Sequence, residues 1–251
     1  MKNLSRPAGR TPLSLVSLGL TVTMWTVAIS KLAETTLLTD QVYDTIHDAI
    51  LNGDLPAGAR LRIRDLADQV GTSVMPVREA IRRLEAAGLA ERVAHKGAVV
   101  KGLTLEELVH VYDARRVLEV EASRLGGLHV SATDCDRMQL EYDRMRLALV
   151  ERRVVDVLDH DEALLDILYT ASGNPVLLEL IRNLWERCRG YKIVGAQGTM
   201  DSGDDESLWR YQHQLVAAAR SNDPGISLIS EASVIDATNR IKALLAAQAS
   251  A

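Results

Sequence analysis

The chain has 251 residues, 47% of them hydrophobic and 25% charged, with a formal net charge of −5. That balance fits a soluble chain with core enough for one large or two ordinary domains. It excludes a disordered tail, a collagen-like repeat and a protein that coats nucleic acid by bulk charge. Phe is absent and Trp and Tyr are few, so the core is built from Leu, Val, Ile and Ala, which favours packed helices over an aromatic-rich β-sandwich. Cys135 and Cys188 form no Cys-x-x-Cys pair, which argues against a disulfide scaffold or a thiolate zinc site. A reducing cytoplasm is the expected compartment.

Residues 11–30 carry no charge and follow Lys2, Arg6 and Arg10, the outline of a signal peptide or anchor. Seven of those twenty residues are Ser or Thr, and Gly19 interrupts them, so a membrane span is disfavoured and no membrane partner is expected. Residues 1–36 are read as a leader, disordered or lying upstream of a true start near Met24. Val42, Ile46, Ala49 and Ile50 then recur at helical spacing until Asn52-Gly53 and Pro56-x-Gly58 break the run. A short helix is predicted over 63–70, ended by Gly71. A second follows, with Ser73 as its cap, Pro76 in its first turn and Val77, Ala80, Ile81 and Leu84 as its buried stripe. Residues 89–93 and 98–101 can pair as strands around Ala94-His95-Lys96-Gly97. Thr104-x-x-Glu107 reads as a capping box opening a long helix. Further helices are predicted over 134–150, 154–171, 175–194, 207–221 and 225–247, with Asn174-Pro175 and Asp223-Pro224 marking restarts. The expected architecture is mainly α: a leader (1–36), a winged helix-turn-helix domain (37–101) and an antiparallel helical bundle (102–251).

Charge divides unevenly along this plan. Residues 60–101 hold nine basic residues against five acidic, a balance of +4, whereas residues 102–251 hold sixteen against twenty-four, a balance of −8. A short helix, a Gly turn and a second helix with a polar, basic start fit a helix-turn-helix, whose second helix enters the major groove amino end first. Arg78 is placed for a guanine edge or a phosphate, and Arg82 and Arg83 for phosphates. Arg64 can reach the same strand, and His95-Lys96-Gly97 can set a wing in the minor groove. On charge and periodicity alone, a solvated basic face is an equal reading.

The run Gly53-x-Leu55-x-x-Gly58-x-x-Leu61, then Leu66-Ala67, then Ser73-x-x-Pro76-Val77-Arg78-Glu79-Ala80-Ile81-x-x-Leu84-Glu85-x-x-Gly88-Leu89, then Lys96-Gly97-x-x-Val100 resembles the winged-helix domain of GntR-family bacterial transcription regulators. The resemblance covers residues 37–100. The all-helical remainder resembles the ligand-binding FCD bundle of the FadR subfamily, with Ala171-Ser172-Gly173-Asn174-Pro175 as its most recognisable stretch. It implies a homodimeric regulator, expected to be a repressor and not an enzyme, that reads a short inverted repeat of double-stranded DNA and answers to a small organic acid. Arg64, Arg78 and Gly97 match residues that the family uses at DNA, and Lys96 falls at the wing tip. Ser73, Met75, Pro76 and Arg82 complete the expected DNA-contacting set. Val74 stands where relatives often carry Arg, and Met75 can offer apolar contact to a thymine methyl instead.

In the bundle, Arg115 shares an apolar stripe, a costly place for a charge unless it is paired. An internal ion pair with Glu119, one turn on, and a carboxylate-binding role weigh equally. The resemblance implies a divalent metal held by one Asp and three His. Asp161 fits the Asp position, but Leu165, Gln212 and Ser233 stand at the His positions, with His213 one residue off. Asp161 and His213 are too few for a transition metal, so no cofactor is required and metal is disfavoured. The expected effector anchors are Arg115, Asp161, Gln212 and His213, with Trp185 and Tyr211 shaping the wall. A constitutive DNA-binding protein with a decayed sensor is the alternative. A bundle-type metal-dependent enzyme is remote, because no nucleophile elbow or complete ligand set supports it.

Overall fold

The structure, a computed structural model, describes residues 33–249. The leader reading of residues 1–36 falls almost wholly outside these, and its last four residues belong to the first helix, α1 (Ala33–Leu51). Val42, Ile46 and Ile50, four residues apart, form its buried stripe. Asn52 and Gly53 end it, Gly53 taking a φ of +84° that a side chain would resist.

α2 (Ile63–Val70) and α3 (Val74–Ala86) follow, joined through Gly71 at φ +69°, whose amide closes the helix end on the Ala67 carbonyl. β1 (Ala90–Val93) and β2 (Gly97–Val100) pair antiparallel, Ala90 opposite Val100 and Val93 opposite Gly97. The alternation of this hairpin sends Ala90 and Val100 into the same core as Leu61, Leu66, Val77, Ile81 and Leu84. Ser73 occupies the position before α3, but its side chain makes no capping hydrogen bond.

The second half is helical among the described residues: α4 (Leu105–Gly126), α5 (Ala132–Val150), α6 (Val154–Thr170), α7 (Pro175–Asp201), α8 (Glu206–Ser221) and α9 (Ile226–Ala249). The Thr104 box forms as its spacing predicts, Glu107 N donating to the Thr104 hydroxyl and Thr104 N to the Glu107 carboxylate. Asn174 caps α7 ahead of Pro175. α7 runs seven residues beyond the expected Val194, because Ala196 and Met200 remain buried along the same stripe. α4 packs against α6, α7 and α9, and α5 lies along α6 and α8, enclosing a core of Met138, Met145, Leu164, Leu168, Ile181 and Leu215. Cys135 and Cys188 are buried free thiols. Among the described residues, no helix is long and apolar enough to cross a membrane.

Candidate nucleic-acid interface and effector cavity

The amino-terminal end of α3, the start of α2 and the hairpin turn converge on one groove. Arg62, Arg64, Arg78, Arg92, Lys96 and Gly97 line it. Among the described residues, Arg64, Arg78 and Lys96 have no ion-pair partner, whereas Arg62 pairs with Asp65 at 3.5 Å, Arg82 with Glu79 at 3.6 Å and Arg92 with Glu85 at 3.0 Å. A cation without an internal anion is available to a phosphate or a base edge at no cost of breaking a pair. Met75 is 65% exposed and Val74 39%, so the helix presents an apolar tip there. His95 at φ +62° and Gly97 at φ +80° make the turn that thrusts Lys96 outward.

Three sequence expectations need correction. Pro76 is buried: its position one residue before Val77 turns it into the core, so it shapes the helix start and cannot touch DNA. Ser73 is exposed but does not cap. Arg83 turns to α1, where it pairs with Asp40 at 2.6 Å and lies 4.1 Å over the Tyr43 ring, so it braces two helices. Arg62, the residue before α2, and Arg92, within β1, were missed, because only the fold brings these two elements to one groove.

In the bundle, α4, α6, α7, α8 and α9 surround a cavity. Arg115, Asp161 and Gln212 line it, as do Leu165, Ser233 and Tyr211. Arg115 Nε donates to Glu119 Oε1 at 2.8 Å, so the internal ion pair forms. Trp185 Nε1 donates to the same oxygen at 2.8 Å and the Tyr169 hydroxyl to Glu119 Oε2 at 3.2 Å, so both oxygens of this buried carboxylate are engaged. Burial disfavours the Arg115 charge, but Glu119, with Cys188 and Tyr112, outweighs it and holds the guanidinium protonated well above its usual range. Trp185 therefore serves Glu119 and is not among the wall residues.

The wall also holds Lys192, whose ammonium lies 2.7 Å from Glu162 and 3.6 Å from Asp161. Gln212 donates to the other Asp161 oxygen at 2.6 Å. Burial pushes the Asp161 carboxyl up despite Lys192. His213 is a correction: one position beyond Gln212, it falls on the exposed face of α8, between the rings of Tyr142 and Trp209, and not at the cavity. The donor set does not fit a metal. Asp161 is flanked by an amide and an ammonium, no imidazole lines the wall, and among the described residues no group of three His, Cys, Asp or Glu could hold an ion. Lys192 escaped the sequence reading because its burial comes from α6, packed across α7.

A winged helix-turn-helix joined to a helical bundle with an internal cavity defines a ligand-domain transcription regulator. Comparison with known proteins makes this specific. The model "Bacterial regulatory proteins, gntR family" matches residues 38–100 and the FCD domain model matches residues 110–226. The chain belongs to the GntR family of bacterial regulatory proteins, carries an FCD domain, and is a transcription regulator, not an enzyme. It is 44% identical over 98 residues to the "Probable D-xylose utilization operon transcriptional repressor" of Paenarthrobacter nicotinovorans, a match spanning 39% of this chain and 43% of that one. It is 27% identical over 186 residues, 74% of this chain and 84% of the other, to the HTH-type transcriptional regulator McbR of Escherichia coli. In fold it is similar to E. coli McbR/YncC, with a TM-score of 0.72 at 24% identity, covering 84% of this chain and 98% of that one. A GntR regulator from Rhodococcus sp. RHA1 aligns at 0.69 and 22% identity, covering 82% and 97% of the two chains.

Proposed function

We propose that this regulator is a cytoplasmic homodimer of the FadR subfamily that represses from a short inverted repeat and is released when a small carboxylate metabolite, without a metal, enters the bundle cavity. One observation carries the effector reading: the cavity wall sets three cations, Arg115, Lys192 and Arg240, and the amide of Gln212 among apolar side chains, against two carboxylates, Glu119 and Asp161. Arg115 is held by Glu119 and Lys192 by Glu162 and Asp161, so an entering carboxylate binds by displacing Lys192 from these internal anions, with Gln212 orienting it. Repression is supported by the printed names of two relatives, the D-xylose operon repressor and the E. coli repressor GlaR. The match to the first covers too little of either chain to speak for its effector. Twofold protein symmetry calls for a palindromic site, each protomer reading one half.

The test is selection of bound sequences from random duplexes by the full chain, then titration of the enriched site with hydroxy-, sugar and dicarboxylic acids. A palindrome released by one acid, with release weakened by Lys192→Met, is the expected result. Enrichment with no release by any acid would move the reading to a constitutive regulator with a decayed sensor.

A further inference from the structure

Arg189 on α7 is 4% exposed, yet its guanidinium reaches three places. Its Nε donates to the carbonyl of Leu51, the last residue of α1, at 3.3 Å. One terminal nitrogen pairs with Asp159, and the other lies 3.0 Å from Glu162 Oε2. The second Glu162 oxygen accepts from Lys192 at 2.7 Å, and Lys192 stands at the cavity wall beside Asp161. The pairs 159/162 on α6 and 189/192 on α7 are each three residues apart, so each helix turns both its charges to the other. A continuous run of charged hydrogen bonds therefore leads from the cavity to the end of α1 in the winged-helix half.

Burying the cations Arg189 and Lys192 is expensive, and apolar side chains of equal volume often serve a core as well, so their pairing is weak evidence of a purely stabilising role. Burial pushes the Glu162 carboxyl up, but Lys192 and Arg189 outweigh it and hold the group ionised, below the usual range. Glu162 is thus one anion shared by two cations, one of which faces the cavity. Whatever engages Lys192 changes how strongly Glu162 pulls on Arg189.

We propose that Lys192, Glu162 and Arg189 are positioning residues that couple the charge state of the cavity to the winged-helix domain. An anion that draws Lys192 away leaves Glu162 to close on Arg189, and the guanidinium slackens its hold on the Leu51 carbonyl just before the Asn52-Gly53 turn. The identity of the natural trigger rests on the carboxylate reading above, but the coupling itself does not.

The test needs neither DNA nor effector. Lys192→Met removes the ammonium from Glu162, and hydrogen exchange on the full chain reads the amides of Asn52 and Leu55, which close the end of α1 on the Asp48 and Ala49 carbonyls. Lys192→Met and Arg189→Met are each expected to speed that exchange by about fivefold or more, the scale of ordinary coupling between sites. Their double variant should exceed neither single one, and Lys192→Arg should restore the wild-type rate. Ser233→Ala, on the cavity wall but outside the run, should leave it unchanged. If Lys192→Met does not fold, Glu162→Gln, which keeps the shape but removes the pull on Arg189, is expected to slow that exchange instead. Unchanged exchange in the folded variants, additive effects in the double, or equal acceleration by Ser233→Ala would overturn the coupling. A chain that selects no operator would overturn the repressor reading and leave this result standing.

Discussion

At the scale of single residues, the DNA face separates cations that are free from cations that are spent. Arg78 sits one turn into α3, unpaired, at the groove shared with the wing, whereas Arg83 on the same helix is held by Asp40 and Tyr43. Arg78→Ala is expected to cost about 1–3 kcal/mol of operator affinity and to relax the preference at one base, read by binding titrations against single-base operator variants. Equal affinity for all variants at every position, with no loss in Arg78→Ala, would remove Arg78 from base readout. The placement of this face was legible in advance: Arg64, Arg78, Lys96 and Gly97, read along two helices and at a hairpin tip, fall on one groove. Pro76 and His213 were misread. A helical position turns about 100° per residue, so the residue next to a correctly placed one can face the core or the solvent instead. Gln212 meets Asp161 while His213 meets Tyr142 and Trp209.

At the scale of elements, local chemistry announced most boundaries, as at Thr104, Gly71 and Asn174-Pro175, while the close approaches between helices were hidden. Gly126 at the end of α4 shows why. A Cβ there would stand 2.0 Å from the Leu168 carbonyl oxygen on α6, whereas at Gly127 it would meet the Ile226 side chain at 2.7 Å. Backbone cannot rotate aside as a methyl can. Gly126→Ala is therefore expected to destabilise by about 3 kcal/mol, the upper end of ordinary overpacking, and Gly127→Ala by less, a ranking checked by denaturant titration. Between α1 and α7, His47 Nε2 lies 3.5 Å from Glu186, with Asp48 3.6 Å from its other nitrogen and the Tyr43 ring stacked 5.4 Å away. The hydrogen bond to Glu186 outweighs burial and raises the His47 pKa above its ordinary value. Because the folded pKa is the higher one, this contact stabilises fully below about pH 6.5 and fades as pH rises through the raised value. The melting temperature lost in His47→Gln should thus be greatest near pH 6 and shrink toward pH 8. A constant difference across that range would show that the contact acts through packing alone.

At the scale of the whole molecule, an acidic chain that binds DNA must confine its attraction to one face, and salt dependence measures how many cations that face commits. The bundle's excess of negative charge is screened beyond about 10 Å at 0.1 M salt, so what governs affinity is the short list of cations at phosphates. Lys96 at the wing tip is proposed as one of these, and in the proposed homodimer it would occur twice per site. Each neutralised phosphate contributes about 0.9 to the slope of log affinity against log salt. Lys96→Ala should therefore flatten that slope by about 2 on a full palindrome and by about 1 on an isolated half-site, with affinity falling by a similar factor on every sequence tested. Arg83→Ala, whose cation is committed to Asp40, should leave the slope where it was while loosening the seat of α3 on α1. An unchanged slope in Lys96→Ala would take the wing off the phosphate backbone. A change of about 1 on the palindrome would mean that only one protomer engages it, and the twofold reading of the operator would fail with it.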